Sequence, residues 1–197
     1  MRHNTQMSGI LGVYLINHGI FPDSRGKTLV LFDSNEEFLS RNFQNFQCNV
    51  SNSNKGVIRG LHYSHGPHHQ NMIVTCLSGM ISDVLVDIRI GSPTYRKILK
   101  IELNPDSNFS LVVPSGVAHG YEVKSDMTMV LYHLSQNYNP KFESTINPFC
   151  KDLAIGWETT SPVMSERDRL ADDFLASESK GLLPNFTTAS TNSPFQK

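Results

Sequence analysis

The side chains best suited to proton chemistry lie in two short segments of the chain. The first runs from Arg59 to Tyr63 with the sequence RGLHY, and the second, PSGVAHG, ends at Gly120. Each segment contains one histidine, His62 or His119. An imidazole titrates near neutral pH, so it can remove and return protons, and its neutral form binds metal ions. The two histidines are therefore candidates for a general base or for a metal centre.

The second segment has the P-x-G-x-x-H spacing of the second sequence motif of cupins. A cupin is a jelly-roll barrel whose strands bring side chains together at an open mouth. A metal-binding cupin would use His62, His65 and His119. Its first motif normally adds a glutamate soon after the histidines, but the first carboxylate after His62 is Asp83. Imidazoles alone can bind zinc, so a metal site and a metal-free general base both stay open.

Three histidines lie close behind the first segment, at His65, His68 and His69. They share a loop with Gly66 and Pro67, where exposed polar side chains are expected. A surface or structural role is therefore as well supported for these three as a role in a site.

Short β-strands are the elements that must position the candidate residues. Residues 84–90, 98–103 and 109–113 alternate in polarity and are rich in β-branched side chains, which is typical of strands. Glycine, proline, serine and asparagine separate these runs, as turns require. Many short strands at this spacing predict an all-β sandwich or barrel. Helices are predicted to be short and peripheral, with capping sequences at residues 34–37 and 165–168.

The length and composition of the chain indicate one domain. We assign residues 1–177 of the 197 to it, and expect the Ser/Thr/Asn-rich residues 178–197 to form a polar, partly disordered tail. The net charge of −1 argues against a nucleic-acid or anionic-membrane partner. The sequence predicts neither a secretory signal nor a membrane-spanning run of about 20 apolar residues. The three widely spaced cysteines fit a reducing compartment, so we expect a cytoplasmic protein.

Longer stretches of the sequence resemble the dTDP-4-dehydrorhamnose 3,5-epimerase family. Together they span about residues 20–175 in the order and spacing of that family. Residues 147–148 and 181–184 are more similar to the branch that makes unusual deoxysugars for antibiotics. The similar stretches are KGVIRGLHY (55–63), SDVLVDIR (82–89), GSPTY (91–95), AHG (118–120), Tyr132 with YNP (138–140), LAIGW (153–157) and SERD (165–168).

The resemblance implies a double-stranded β-helix, the cupin jelly roll, acting as a homodimer without metal or other cofactor. The implied reaction is epimerisation at C3 and/or C5 of a nucleotide-linked 4-keto-6-deoxyhexose, with dTDP as the expected nucleotide. His62 is then the base, Asp168 its partner, and Tyr132 the acid on the other face of the sugar. A C–H bond beside a ketone loses its proton once the enolate is stabilised, and inversion requires a proton to return on the opposite face.

The resemblance also implies ligand-binding positions. Arg25 and Arg59 match positions that face the pyrophosphate, where the forked guanidinium suits phosphate oxygens. His119 matches a histidine near the sugar carbonyl. The remaining substrate-binding positions are Gln47 and Asn49 on the nucleotide side and Tyr138 as a ligand-contacting aromatic residue.

The sequence departs from the family pattern in two places that bear on function. Met72 stands where a Q-x-K pattern supplies a lysine for the enolate oxygen, and a thioether cannot donate a hydrogen bond. Thr28 and Val30 replace a phenylalanine and a glutamate that serve the nucleobase across the dimer. Two alternatives accompany the epimerase prediction, the first suggested by Met72 and the second by the histidines. They are a catalytically weak sugar-nucleotide binding cupin and a metal-dependent cupin oxygenase or isomerase.

Overall fold

The structure is a computed structural model that describes residues 4–6, 9–33, 35, 37–43 and 47–187. This part of the chain contains thirteen strands and three short α-helices. The strands are β1 (Asn4–Gln6), β2 (Tyr14–Asn17), β3 (Gly19–Asp23), β4 (Gly26–Val30), β5 (Gln47–Ser53), β6 (Ile58–Ser64), β7 (Met72–Ser78), β8 (Ile81–Asp87), β9 (Ile98–Leu103), β10 (Phe109–Val113), β11 (Val117–Val123), β12 (Thr128–Leu134) and β13 (Glu143–Thr145). The helices are α1 (Glu37–Asn42), α2 (Glu166–Arg169) and α3 (Phe174–Ser179).

The strands form two facing antiparallel sheets and one separate hairpin. The larger sheet has the order β1-β2-β10-β7-β12-β5, and the smaller has the order β13-β6-β11-β8-β9. Strands β3 and β4 pair only with each other among the described strands. The predicted all-β double-stranded β-helix with short peripheral helices is confirmed.

The main core lies between the two sheets. Alternate side chains of a strand point to opposite faces, so each sheet contributes one apolar face to this space. Every position of β11 is buried, because that strand is covered on both faces. Side chains that meet in the core include Val74, Leu85, Leu111, Tyr121 and Val130.

A second apolar cluster covers the outer face of the smaller sheet. Leu61 of β6 and Val84 and Val86 of β8 are fully buried there. Phe174 of α3 and Leu183 pack against them. The segment after β13 therefore closes this face and fixes α2 and α3 against β6.

Two of the three predicted strands have the predicted bounds, and the third is displaced. Strands β9 and β10 match residues 98–103 and 109–113, whereas β8 ends at Asp87 and not at residue 90. The Asp87 carboxylate accepts hydrogen bonds from the Arg89 backbone N–H and from the Ser92 hydroxyl. Such local side-chain bonds compete with the strand ladder and turn the chain.

Helix α2 begins at the predicted cap. The Ser165 hydroxyl accepts a hydrogen bond from the backbone N–H of Asp168 at 3.1 Å. The other predicted cap involves Ser34 and Glu36, which lie outside the described residues. None of the described helices has both the length and the apolarity required to span a bilayer.

The first part of the predicted tail packs on the domain. Ile90 exchanges backbone hydrogen bonds with the segment 184–186, and Leu183 is buried. The ring of Phe186 lies under the Arg89 guanidinium at 5.4 Å. Residues 188–197 lie outside the described part, and the domain boundary at residue 177 stays a prediction.

Candidate active site

A β-bulge in β6 turns Arg59 and His62 to the same face. Residues three positions apart on a regular strand point to opposite faces. In the pairing of β6 with β11, however, His119 lies opposite His62 and Tyr121 lies opposite Arg59, so β6 carries one extra residue. Gly60 permits this geometry, since its φ is +100° and a Cβ atom there would lie 2.5 Å from the carbonyl oxygen of His119. The bulge turns all four side chains into one cavity.

His62 and Asp168 form a short hydrogen-bonded pair. The Nε2 atom of His62 lies 2.7 Å from Oδ1 of Asp168. The Asp168 side chain is 4% exposed, whereas that of His62 is 33% exposed and lines the cavity. Because Nε2 faces the carboxylate, Nδ1 is the ring nitrogen left to act on a ligand.

The surroundings of Asp168 favour its carboxylate form. Burial alone would raise the pKa of Asp168, but hydrogen bonds from His62 and the Gly60 backbone N–H outweigh it, and the pKa lies below its usual value. A carboxylate in this position can orient the His62 ring and stabilise an imidazolium. The pair can therefore accept a proton from a ligand.

Tyr132 reaches the same cavity from β12 in the opposite sheet. Its hydroxyl donates a hydrogen bond to the Tyr121 hydroxyl at 2.7 Å. Loss of hydration raises the pKa of Tyr132 well above its usual value, and the neighbouring Tyr121 raises it further. The neutral phenol is therefore the stable form, which suits Tyr132 to donate a proton.

His119 is held by a carboxylate in the barrel interior. Its Nε2 lies 2.8 Å from Oδ2 of Asp83, whose side chain is fully buried. The second oxygen of Asp83, Oδ1, has no hydrogen-bond partner in the described structure. The His119 ring packs edge-on against Tyr132 with centroids 6.4 Å apart. His119 and Tyr132 thus face one ligand space from the two sheets.

The cavity has a volume of about 360 Å³, which is enough for part of a sugar nucleotide. Among the predicted site residues, His62, Tyr132, His119, Arg59, Asn49 and Tyr138 line it. Asp168 acts on it through His62. Met72 also lines the cavity, at the position where the family pattern has a lysine.

Two predicted ligand-binding residues do not line this cavity. Gln47 contacts two residues that do line it, donating to the side chain of Asn49 at 2.8 Å and accepting from the Tyr138 backbone N–H at 2.9 Å. Arg25 lies at the tip of the β3–β4 hairpin, 88% exposed, and is paired with Asp23 at 2.6 Å. Within one chain, Arg25 is therefore not among the residues that line the cavity.

The sequence analysis missed several residues at the cavity. Arg167 lies beside Tyr138, donating to its hydroxyl at 3.4 Å, and pairs with Glu143 at 2.7 Å. The sequence signal for Arg167 as a site residue was its position next to Asp168, because both residues belong to the short helix α2. Tyr121 and Ser51 were also missed, since each depends on a register between strands that are distant in the sequence.

The metal alternative finds limited support in the side-chain arrangement. Among the described residues, no group of three or more His, Cys, Asp or Glu side chains is placed to hold a metal ion. Of the three suggested ligands, His62 and His119 each direct Nε2 to a carboxylate, and the Nδ1 atom of His65 lies 3.5 Å from the Gly66 carbonyl.

Curated relatives of the chain include dTDP-sugar epimerases. A curated dTDP-4-dehydrorhamnose 3,5-epimerase from Streptomyces griseus is 37% identical over 180 residues, covering 90% of each chain. A dTDP-4-dehydrorhamnose 3-epimerase from Streptomyces niveus is 36% identical, covering 91% of this chain and 88% of its own.

Solved structures agree with these relatives. The crystal structure of NovW, a 4-keto-6-deoxy sugar epimerase from the novobiocin gene cluster of Streptomyces spheroides, superimposes with a TM-score of 0.87. The two chains are 32% identical, and the match covers 98% of this chain and 96% of NovW. The sequence profile of the dTDP-4-dehydrorhamnose 3,5-epimerase family matches residues 7–175. The chain belongs to the dTDP-4-dehydrorhamnose 3,5-epimerase family.

Proposed function

We propose that this protein epimerises a nucleotide-linked 4-keto-6-deoxyhexose at C3 and/or C5. The observation that carries the proposal is the placement of a charge-stabilised base and a neutral acid at one cavity. His62, backed by Asp168, comes from the smaller sheet, and Tyr132 comes from the larger sheet. Epimerisation needs such a base and acid on opposite faces of one carbon.

The reaction follows from the two proton-transfer groups. The Nδ1 atom of His62 removes the proton from the carbon beside the ketone, and the electron pair passes into an enolate. Asp168 stabilises the imidazolium that forms. The Tyr132 hydroxyl then delivers a proton to the opposite face of the same carbon, which restores the ketone with inverted configuration. No oxidation state changes, so the chemistry requires neither a redox cofactor nor a co-substrate.

The expected nucleotide is dTDP. Two guanidinium groups at the cavity, Arg59 and Arg167, supply positive charge suited to a diphosphate. Tyr138 offers an exposed aromatic face beside Arg167. A relative of known structure, ChmJ from Streptomyces bikiniensis, was solved with dTDP-quinovose, at 30% identity and a TM-score of 0.84.

Product analysis tests this function. The purified protein is incubated with dTDP-4-keto-6-deoxyglucose, the ketosugars are reduced with borohydride, and the released 6-deoxyhexoses are separated. We expect sugars inverted at C3, at C5 or at both. Recovery of only the sugars obtained without protein, although the nucleotide sugar binds, would instead favour the weak binding protein. A parallel incubation with the UDP-linked sugar shows whether the base is recognised.

We further propose a homodimer in which the β3–β4 hairpin reaches the cavity of the partner subunit. The hairpin carries Arg25 at its tip and exposes Ile20 and Phe21, the latter at 62%. Exposed apolar side chains on a projecting hairpin are typical of a segment that packs on another molecule. Thr28 and Val30 of the same hairpin would then approach the nucleobase.

Light scattering checks the assembly. We expect a particle of twice 22.1 kDa. Phe21→Asp should shift the population to monomer, because it places a charge in the apolar contact. Leu170→Asp is the matched control, since Leu170 is 71% exposed and lies at the end of α2, outside the hairpin. If the wild-type protein were a monomer of 22.1 kDa, this result would contradict both the shared site and the proposed role of Arg25.

Met72→Lys is expected to raise the rate, or to extend the reaction to a second carbon. A preorganised donor at a developing oxyanion is worth about 10²–10³-fold in rate. An unpaired buried ammonium would cost several kcal/mol, and the counter-ion expected from the family arrangement is Asp83, whose Oδ1 has no hydrogen-bond partner in the described structure. Met72→Gln is the uncharged control. A folded Met72→Lys protein with wild-type rate and selectivity would show that the enolate is stabilised by another route.

A cytoplasmic location is also proposed. All three cysteines, Cys48, Cys76 and Cys150, are free thiols. Free thiols persist in a reducing compartment. Fractionation of the source cells with an antibody to the protein would test this location, and recovery outside the cytoplasm would contradict it.

A further inference from the structure

Three hydroxyl groups form a continuous hydrogen-bonded chain across the barrel interior. The Tyr132 hydroxyl lies 2.7 Å from that of Tyr121, which lies 2.9 Å from Oγ of Ser51. Tyr121 comes from β11 in the smaller sheet, whereas Tyr132 and Ser51 come from β12 and β5 in the larger sheet. All three residues line the cavity.

The direction of the donated protons decides what Tyr132 can do. In the structure Tyr132 donates to Tyr121, so its O–H bond points away from a ligand. Each hydroxyl both donates and accepts, and a chain of hydroxyls can reverse direction by rotating its O–H bonds. In the reversed chain Ser51 donates to Tyr121, Tyr121 donates to Tyr132, and the Tyr132 proton points into the cavity.

Turnover also requires the acid to be reloaded. After Tyr132 has given its proton to carbon it is a phenolate, which the dehydrated surroundings disfavour. Tyr121 is 1% exposed and shields this oxygen from solvent on its side. Ser51 is only partly buried, and lies on the edge strand β5 between the exposed residues Val50 and Asn52.

We propose that Tyr121 and Ser51 are positioning residues that orient the Tyr132 proton and return a proton to it after each turnover. This inference rests on the proposed epimerase function and deepens it. The Tyr132 phenolate takes a proton from the Tyr121 hydroxyl, and Tyr121 takes one from the Ser51 hydroxyl. A water molecule at Ser51 then gives a proton to the Ser51 oxygen. The resulting hydroxide is neutralised by the proton that His62 releases to solvent, so each cycle leaves no net charge.

The relay predicts a separation of proton removal from inversion. Without Tyr121 or Ser51, His62 still forms the enolate, but protonation from the Tyr132 side slows. The enolate then recovers its proton from His62, whose side chain is 33% exposed and exchanges with solvent. In D₂O the starting sugar should therefore acquire deuterium without changing configuration.

The test uses Tyr121→Phe and Ser51→Ala in D₂O with dTDP-4-keto-6-deoxyglucose, followed by NMR. Each change removes one oxygen from the chain. Inversion should fall about 10²-fold in Tyr121→Phe, the lower end of what general acid catalysis contributes, and less in Ser51→Ala. Deuterium exchange with retention should persist in both. Tyr63→Phe is the control, since Tyr63 is also 1% exposed but bonds to the Leu182 carbonyl, away from the cavity.

The outcomes are distinct. A rise in the ratio of retained exchange to inversion in both variants, with Tyr63→Phe unchanged, supports the relay. A wild-type ratio in both variants overturns it, as does an equal fall of exchange and inversion, because that marks a structural defect. An effect of Tyr121→Phe with none of Ser51→Ala also overturns it. Failure of the wild-type protein to exchange or invert would instead overturn the proposed function.

Discussion

Replacing His62 with alanine is expected to abolish measurable proton exchange and epimerisation while leaving nucleotide binding nearly intact. General bases contribute about 10²–10⁴-fold to rate, and this base has no substitute at the same position. Arg59 and Arg167 remain in place at the cavity, so the proposed diphosphate contacts should persist. Rates of exchange in D₂O and the Kd for dTDP measure the two effects separately.

His68→Ala serves as the matched control for this experiment. His68 lies on the loop after β6 and bonds to the carbonyl of Asn137 at 2.7 Å, outside the cavity lining. The exchange rate of the His68→Ala protein should stay near that of the wild-type protein. Substantial exchange in a folded His62→Ala protein would remove His62 from the role of base.

Asp168→Asn is expected to cost about 10²–10⁴-fold in rate with little change in nucleotide affinity. The carboxylate stabilises the imidazolium of His62, and an amide cannot do so. An amide that donates to Nε2 would also leave the proton on Nδ1, the nitrogen that must accept one. The analogous change in a Ser-His-Asp triad costs about 10⁴-fold.

The control for Asp168→Asn is Asp172→Asn. Asp172 is a partly exposed carboxylate that pairs with Lys180 at 2.7 Å on the surface. Exposed ion pairs contribute about 0–1 kcal/mol, so this change should alter neither rate nor stability measurably. Wild-type turnover in a folded Asp168→Asn protein would reduce Asp168 to a residue of the first turn of α2.

The parts of the fold that could be predicted are those set by local sequence. Strands β9 and β10 follow from alternation and β-branched residues, and the Ser165 cap follows from its position before an acidic first turn. The displaced end of β8 could not be predicted in this way. It depends on hydrogen bonds that Asp87 makes with residues in the following turn.

The parts of the site that could not be predicted depend on pairing between distant segments. Arg59 and His62 share a face only because β6 bulges against β11. The contact of Tyr121 with Tyr132 crosses between the two sheets and has no local signal. The exposure of Arg25 follows from its place on the separate β3–β4 hairpin, and local sequence does not indicate that this hairpin pairs with neither main sheet in the described part of the chain.

Deuterium incorporation from D₂O is the measurement that tests the epimerase proposal most directly. The purified wild-type protein is mixed with dTDP-4-keto-6-deoxyglucose in D₂O, and the C3 and C5 proton signals are followed by NMR. The account predicts that one or both signals disappear with time, that signals of an inverted sugar appear, and that His62→Ala abolishes both changes. Retention of both proton signals by wild-type protein that demonstrably binds the nucleotide sugar would contradict it.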